Sequence, residues 1–383
     1  MENVGEGLSM TEWTIAADKM MDVLSVLDLV PARPGIPSSV FVALTEKNGK
    51  MEMALSSDVA GEVTITGKGT MGLKKSVYVD RRLFFPFINT AKTYKSDKPF
   101  VFSKPGKQML VTQGRRKATF DPIVGSSGYG DLNGAASGIV LPLDKKLNEL
   151  ITVACTCATS DPTVPELNCI FTARNKTGLD VYASNQLVVL KAVQKAKGKY
   201  PERLPFPLFL VPLLSNDHVR EVRFKDKEVV VHFDCGFIWQ GVSVKASKGF
   251  PLKTMDKLLT DGKEWAELFR LQTHRLGAVT RRFSEYLTAI RRQDWLMSVK
   301  AETGDKQVLL EVSIPQGIFR EKVIVEEAIK QDLDIQWPLD ILLPVFEHWA
   351  KNKEAVLTVR GDKKTPYLLS GAGLNLVVTR KKA

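Results

Sequence analysis

Cysteine is scarce in this chain. Four cysteines in 383 residues cannot staple a protein of this length, so burial of apolar surface has to hold it together. Cys155 and Cys157 form a C-x-C, but no second pair of cysteines or histidines follows at zinc spacing, and the pair reads as buried free thiols. Histidine is equally sparse: His218, His232, His274 and His348 are scattered, and none sits in an H-E-x-x-H pattern. Neither a metal nor a cofactor is expected. No apolar run reaches the roughly 18 residues a membrane helix needs; the most apolar stretch, Leu204 to Leu214, is broken by Pro205, Pro207 and Pro212. The opening MENVGEGLSMTEW lacks the basic start and apolar core of a signal peptide, so a cytoplasmic protein with no membrane partner is expected. A P-loop, a G-x-S-x-G elbow and a carboxylate cluster are missing as well, which argues against an enzyme. Acid is in deficit too. Lys and Arg number 54 against 43 Asp and Glu, a net charge of +11. Such a surplus favours polyanions, nucleic acid first, although a ribosomal or membrane-surface partner would fit the same balance.

What is present is a soluble composition, 44% hydrophobic and 25% charged, and length for two to three domains. The chain also repeats itself. Each copy opens with an amphipathic helix. The first spans about 16–29 with Met20, Val23, Leu24 and Leu27 at helical spacing, the second 143–158 with Leu147, Leu150, Ile151 and Ala154, and the third 274–291 with Leu276, Val279, Phe283, Leu287 and Ile290. A hairpin pattern follows each helix: SVFVALTEKNGKMEMALSS, NCIFTARNKTGLDVYAS and WLMSVKAETGDKQVLLEVS. Their turn glycines, Gly49, Gly178 and Gly304, are 129 and 126 residues apart, about a third of the chain. A further strand comes next (EVTIT, VVLKAV, REKVIV), then a second helix at 81–94, 206–215 and 338–352, then two or three closing strands. Proline inside 206–215 makes the middle one the weakest helix.

The pattern predicts an α+β fold of three repeated domains, 1–126, 138–250 and 262–383, each with two helices packed on antiparallel sheet. GSSGYGDLNGAASG, 125–138, reads as a flexible linker. The second boundary, 248–265, reads as polar and turn-rich. A domain with an exposed sheet edge is exposed to uncontrolled pairing unless another strand covers that edge. Pairing successive domains solves this within the chain, and closure with a second copy removes the last free edges. Three unlinked beads are the alternative.

The same segments resemble the bacterial sliding clamp, the DNA polymerase III beta-subunit family, along essentially the whole chain. PARPGIP, 31–37, is similar to the family's R-P-T-L-P turn, VDRRLFFPF to V-P-A-R-x-F-F, and GRRKATF to G-R-S-R-F. DPTVPELNCIFT is similar to the stretch ending in L-N-G, LDVYASNQLVVL stands where the family has V-A-T-D-G-H-R-L-A, KGFPLKTMDKLL where it has G-R-F-P-D-Y, and LNLVVTRKK where it has Y-V-V-M-P-M-R. The departures are Ser184 to Val188 in place of T-D-G-H-R, Met255 in place of an arginine, a tail without M-P-M, and a basic rather than acidic balance.

The resemblance implies a head-to-tail homodimer forming a six-domain ring, without catalytic activity, around double-stranded DNA read independently of sequence. It implies a replicative DNA polymerase, a clamp loader and other proteins carrying a clamp-binding motif as partners. By position, Arg33 and Arg82 face DNA, with Arg81, Lys145, Lys146, Arg275, Arg281 and Arg282 as further helix-borne candidates, for which a solvated surface charge is the plain alternative. The partner-peptide pocket falls on Leu167, Ser184, Val188, Val189, Pro251, Met255, Val377, Val378 and Arg380, of which Leu167, Val377 and Val378 also suit a strand core. The substitutions there imply a peptide preference that departs from the usual Gln-Leu-x-Leu-Phe type. A DNA-binding or scaffold protein that keeps the fold without closing is the competing reading. Gly67, Gly69 and Gly72 form a G-x-G-x-x-G, but SVYV after it is a strand, so it reads as a loop between strands and not a dinucleotide site.

Overall fold

A computed structural model of the chain describes residues 11–30, 40–47, 50–56, 60–65, 67–93, 97–124, 138–159, 161, 163–195, 200–215, 219–225, 228–242, 249–288, 295–314, 317–362 and 366–379. Six α-helices lie among the described residues: α1 (Ala17–Leu27), α2 (Arg81–Thr93), α3 (Lys145–Thr156), α4 (Leu252–Glu264), α5 (Thr273–Thr288) and α6 (Leu339–Ala350). The apolar residues predicted at helical spacing are the ones buried: Met20, Val23, Leu24 and Leu27 on α1, Leu147, Leu150, Ile151 and Ala154 on α3, and Leu276, Val279 and Phe283 on α5. All described strand pairs are antiparallel, and the fold is α+β as expected.

The chain divides into two compact units, Met1–Leu143 with Asn216–Val244, and Asp144–Ser215 with Lys245–Ala383. The second sequence copy therefore contributes to both. Unit 1 holds a five-stranded sheet, ordered Lys68–Gly69, Glu12–Ile15, Phe100–Ser103, Met109–Gln113 and Arg116–Phe120, and a nine-stranded one. In the larger sheet, Ala60–Ile65 of the first copy pairs with Phe237–Val242 of the second, Val63 opposite Phe237 and Gly61 opposite Trp239. Unit 2 holds an eight-stranded sheet and a four-stranded one, the latter ordered Gly317–Ile324, Gln307–Ile314, Leu296–Ala301 and Leu333–Pro338. In its larger sheet, Val188–Lys195 of the second copy pairs with Leu374–Val378 of the third, Val188 opposite Val378 and Leu190 opposite Leu376. The two seams are equivalent: the strand after the hairpin of one copy joins the closing strand of the next. Edge pairing between successive copies is thus realised inside the chain.

In unit 2, α5 crosses α6 at Gly277, where a Cβ would lie 2.3 Å from Ala350 Cβ. Trp349 on α6 is fully buried and donates from Nε1 to the Gly371 carbonyl at 2.7 Å, which ties the helix to the hairpin that carries the second seam.

Four expectations need correction. Segment 248–265 is not turn-rich: most of it is α4, because Leu252, Met255, Leu258, Leu259 and Gly262 recur on one helical face. The middle second helix is a 3-10 helix, Leu208–Ser215, since Pro212 cannot supply an α-helical N–H. Gly178 opens a strand and does not sit in the turn; Asn175 makes the turn by accepting from Thr177 N at 2.7 Å. Each first helix is preceded by a short strand that periodicity did not reveal, Glu12–Ile15, Ile139–Pro142 and Glu267–Gln272. Gly304 does occupy its turn, with φ +92°. Gly49, Leu287's side chain, Ile290 and 125–137 of the linker lie outside what is described.

Candidate functional site

Two kinds of feature bear on function: cationic helix positions in both units, and an apolar site in unit 2. In unit 1, α2 begins with Arg81 and Arg82, and the two differ completely. Arg81 is only 8% exposed. Its guanidinium donates to the Val30 carbonyl at 2.6 Å and to Asp28 Oδ1 at 2.6 Å, and it lies over the Phe85 ring at 4.8 Å. Its charge and donors are used to fasten the end of α1 to α2, which corrects its expected place among DNA-facing residues. Arg82 is exposed and pairs with Asp80 at 2.6 Å; hydrogen bonds from Arg82 hold the Asp80 carboxyl below its ordinary range. Arg33 lies outside the described residues.

In unit 2, Lys145 and Lys146 are exposed on the first turn of α3. The positive end of a helix dipole disfavours cations; Asp144 offsets this by accepting from Leu147 N at 2.7 Å as the N-cap. On α5, Arg281 is exposed, Arg275 half-buried, and Arg282 paired with Glu321 through its Nε at 2.7 Å. Tyr286 of the same helix stacks on Phe319, ring centroids 4.5 Å apart. These contacts pin α5 to the edge strand Gly317–Ile324.

The residues assigned to a peptide pocket are brought together in large part. Leu167, Val189, Met255 and Val377 form one apolar cluster with Tyr182, Leu259 and Leu368, and every member is 8% exposed or less. Val188 and Val378 face each other in the adjoining seam and are fully buried, Ser184 is buried beside the turn, and Pro251 precedes α4. Arg380 lies outside the described residues. Sequence reasoning missed Tyr182, Leu259 and Leu368, whose only signal was α4's periodicity and ordinary strand alternation. It also missed a groove beside the cluster lined by Leu187, Trp295, Gln336, Pro338, Ile341 and Thr379. Leu187 is exposed there at the tip of a turn where Gln186 has φ +72°, and its carbonyl accepts from Thr379 N at 2.8 Å.

A polar network lies beside the cluster. Asp256 of α4 accepts from Tyr182 Oη and Lys191 Nζ, both at 2.9 Å, and Lys191 also reaches Asp180 at 3.1 Å. Burial opposes the Lys191 charge, but hydrogen bonds to Tyr182 and Asp256 outweigh it and raise its pKa. Burial likewise raises the Tyr182 hydroxyl.

The glycine-rich loop is filled from within. Glu46 accepts from Thr70 Oγ1 and, at 3.0 Å, from Leu73 N, so a carboxylate of the chain itself takes up these donors. Among the described residues no group of three or more His, Cys, Asp or Glu could hold a metal, and no helix is long and apolar enough to cross a membrane. Burial pushes the Cys157 thiol up to about 12 and Cys169 up to about 11. At pH 8 on the order of one Cys157 in ten thousand is then thiolate. Labelling with Ellman's reagent at that pH should leave Cys157 unmodified until the protein unfolds; rapid native-state labelling, located by peptide mapping, would contradict this burial.

No protein-family model matches the chain, and no curated protein matches it. Solved structures do. The DNA polymerase III beta chain of Streptococcus pneumoniae superposes with a TM-score of 0.76 at 14% identity, over 98% of this chain and 100% of that one. The DNA polymerase sliding clamp of Bacillus subtilis gives 0.75 at 15% identity, over 98% and 100%, and that of Pseudomonas aeruginosa 0.71 at 16%, over 97% and 100%. With two equivalent seams, repeated helix–hairpin copies and full-length superposition, the chain has the fold of the DNA polymerase III beta subunit, the sliding clamp, in a strongly diverged sequence.

Proposed function

We propose that two copies of this chain close head to tail into a non-catalytic ring around duplex DNA, holding a polymerase and other motif-bearing proteins through the apolar site of unit 2. One observation carries the reading. The same seam joins copy one to copy two and copy two to copy three, and it leaves one unused half at each end of the series. Those halves are Gly317–Ile324, the edge of the four-stranded sheet, and Arg116–Phe120, the edge of the five-stranded sheet. A second chain supplies each with its partner, and two-fold symmetry then satisfies all four edges. On this reading the sequence-defined domains 1–126, 138–250 and 262–383 give six ring segments, and a loader opens one intermolecular seam.

The cationic helix residues suit a path for DNA that slides. Lys145, Lys146 and Arg281 are exposed, and the two lysines occupy a helix end that disfavours them, so helix stability does not account for their presence. Arg82 and Arg282 are engaged in ion pairs at the surface, which water screens and which phosphate oxygens can replace. Arg275 completes the set. Such contacts bind without reading sequence.

Negative-stain class averages near micromolar protein should contain six-lobed rings with an open centre. The companion measurement is retention at about 1 M salt after loading: a ring stays on nicked circular DNA and leaves linear DNA by its ends, whereas simple phosphate binding is lost from both. Three-lobed arcs that never close, with equal loss from both substrates, would replace the clamp by a DNA-binding scaffold of the same fold.

A further inference from the structure

We infer that the seam between two copies has a helix–helix contact beside its paired strands, in which Leu83 on α2 of one copy packs against Glu285 and Tyr286 at the end of α5 of the other; this rests on the reading of the chain as a ring of two copies. The seam inside unit 2 shows what accompanies such a strand pair. There α3 belongs to the second sequence copy and α6 to the third, and the two helices meet. Thr156 at the end of α3 donates from Oγ1 to the Ile341 carbonyl in the first turn of α6 at 3.4 Å. Lys351, just past the end of α6, pairs with Glu149 of α3 at 3.5 Å. Ile341 is half-buried in this place.

The two ends of the series carry the same pair of helices without a partner. α2 is the first copy's counterpart of α6: each has proline as its sixth residue, Pro86 and Pro344, and each buries the residues two before and two after it, Phe84 with Ile88 and Leu342 with Phe346. α5 is the third copy's counterpart of α3, since Leu276, Val279 and Phe283 repeat the spacing of Leu147, Leu150 and Ala154, all of them buried. Leu83 therefore stands at the place of Ile341, and Glu285 at the place of Thr156. Leu83 is 64% exposed, more than any other large apolar side chain among the described residues, and Tyr286, next to Glu285, is 49% exposed. Each helix lies on its own edge strand: Arg116 donates to the Phe87 carbonyl of α2 at 2.6 Å, and Tyr286 of α5 stacks on Phe319. Pairing of the two edges then brings the helices side by side. Leu83 leaves water against a ring that stacking already holds, so little side-chain freedom is lost. Glu285 brings a carboxylate to the first turn of α2, where the helix dipole and Arg82 are positive.

The test uses full-length chains in sedimentation velocity, alone and mixed. Leu83→Glu is expected to raise the dimer dissociation constant about a hundredfold, because each ring holds the contact twice and the added carboxylate meets Glu285. Leu83 is exposed and an acidic residue suits the first turn of a helix, so the fold stands, which circular dichroism checks. Leu83→Gln, expected to weaken the dimer about tenfold, serves if the first variant misfolds. Glu285→Lys alone is expected to weaken the dimer too, by setting a cation against Arg82 and the positive helix end. Mixed in equal amounts, Leu83→Glu and Glu285→Lys are expected to form a heterodimer about as tight as wild type. One of its contacts then joins the two introduced charges, which are opposite in sign, and the other is the unaltered pair. Only a head-to-tail contact between chains gives that rescue. A Leu83→Glu variant that dimerises as tightly as wild type, or one that Glu285→Lys fails to rescue in the mixture, overturns the helix contact and leaves the ring standing on its strands. A wild type that stays monomeric even at its highest soluble concentration overturns the ring, and the contact with it.

Discussion

If the chain closes into the proposed ring, lysine at both Ile318 and Ile324 is expected to leave it a folded monomer, raising the dimer dissociation constant about a thousandfold. The two isoleucines are 52% and 53% exposed on the edge strand Gly317–Ile324, so within one chain the replacements cost little. Edge pairing changes that. The facing strand of a second copy would be Arg116–Phe120, which brings Arg116 and Lys117, and Gly317–Ile324 already carries Arg320 and Lys322. Added lysines put more positive charge along a seam that has a surplus, the device natural edge strands use to avoid pairing. Two-fold symmetry counts each substitution twice. Four lysines per ring at roughly 1 kcal/mol each give about 4 kcal/mol, or three orders of magnitude in the dissociation constant. Sedimentation velocity from nanomolar to micromolar protein reads the change, and circular dichroism checks the fold. Dimerisation as tight as wild type, in a variant that melts normally, would mean that this edge is not the seam and that the ring, if any, closes elsewhere.

The threefold organisation was legible because it is written in periods that survive divergence. Met20, Val23, Leu24 and Leu27 mark α1 with no motif, and the turn of each hairpin falls near the same place in its copy. The seams were legible only as a requirement: alternation predicts a strand at Val188–Lys195 but cannot say that Leu374–Val378 lies beside it. α4 was missed because composition was read where period mattered; its lysines and threonines looked like a boundary, while Leu252, Met255 and Leu259 carried the helix. Arg81 and Arg82 form the clearest limit. Adjacent and chemically identical, they differ in what a helix start aims them at, the buried carbonyl of Val30 for one and the Asp80 carboxylate at the surface for the other, and one position in a 3.6-residue turn decides which. The apolar cluster of unit 2 was half legible. Leu167, Val189, Met255 and Val377 came by position from the family resemblance, whereas the hydrogen bonds that Asp256 accepts from Tyr182 and Lys191 beside them join residues far apart in the chain and leave no local pattern.

Gly277 is where one methyl group should cost the most. A glycine inside a helix normally loses about 1 kcal/mol relative to alanine, so Gly277→Ala would stabilise α5 if nothing opposed it. Here the new Cβ would stand 2.3 Å from Ala350 Cβ and 3.2 Å from the Phe346 carbonyl oxygen. Neither atom belongs to a side-chain end that can swing away, so α5 and α6 must part. Parting them loosens Phe346 and Trp349, both fully buried, and strains the bond from Trp349 Nε1 to Gly371. Gly371 opens the turn of the hairpin whose second strand, Leu374–Val378, forms the seam to the second copy. The expected result is that Gly277→Ala lowers stability despite its helix propensity, and that Gly277→Val, with two further carbons in the crossing, lowers it by about 3 kcal/mol or more. Calorimetry should place the valine variant roughly 6–12 °C below wild type. An alanine variant that melts above wild type would mean that the helices do not touch at Gly277. A valine variant that also loses binding of a Gln-Leu-Asp-Leu-Phe peptide would connect this crossing, through Trp349 and Gly371, to the strand on which Val377 stands.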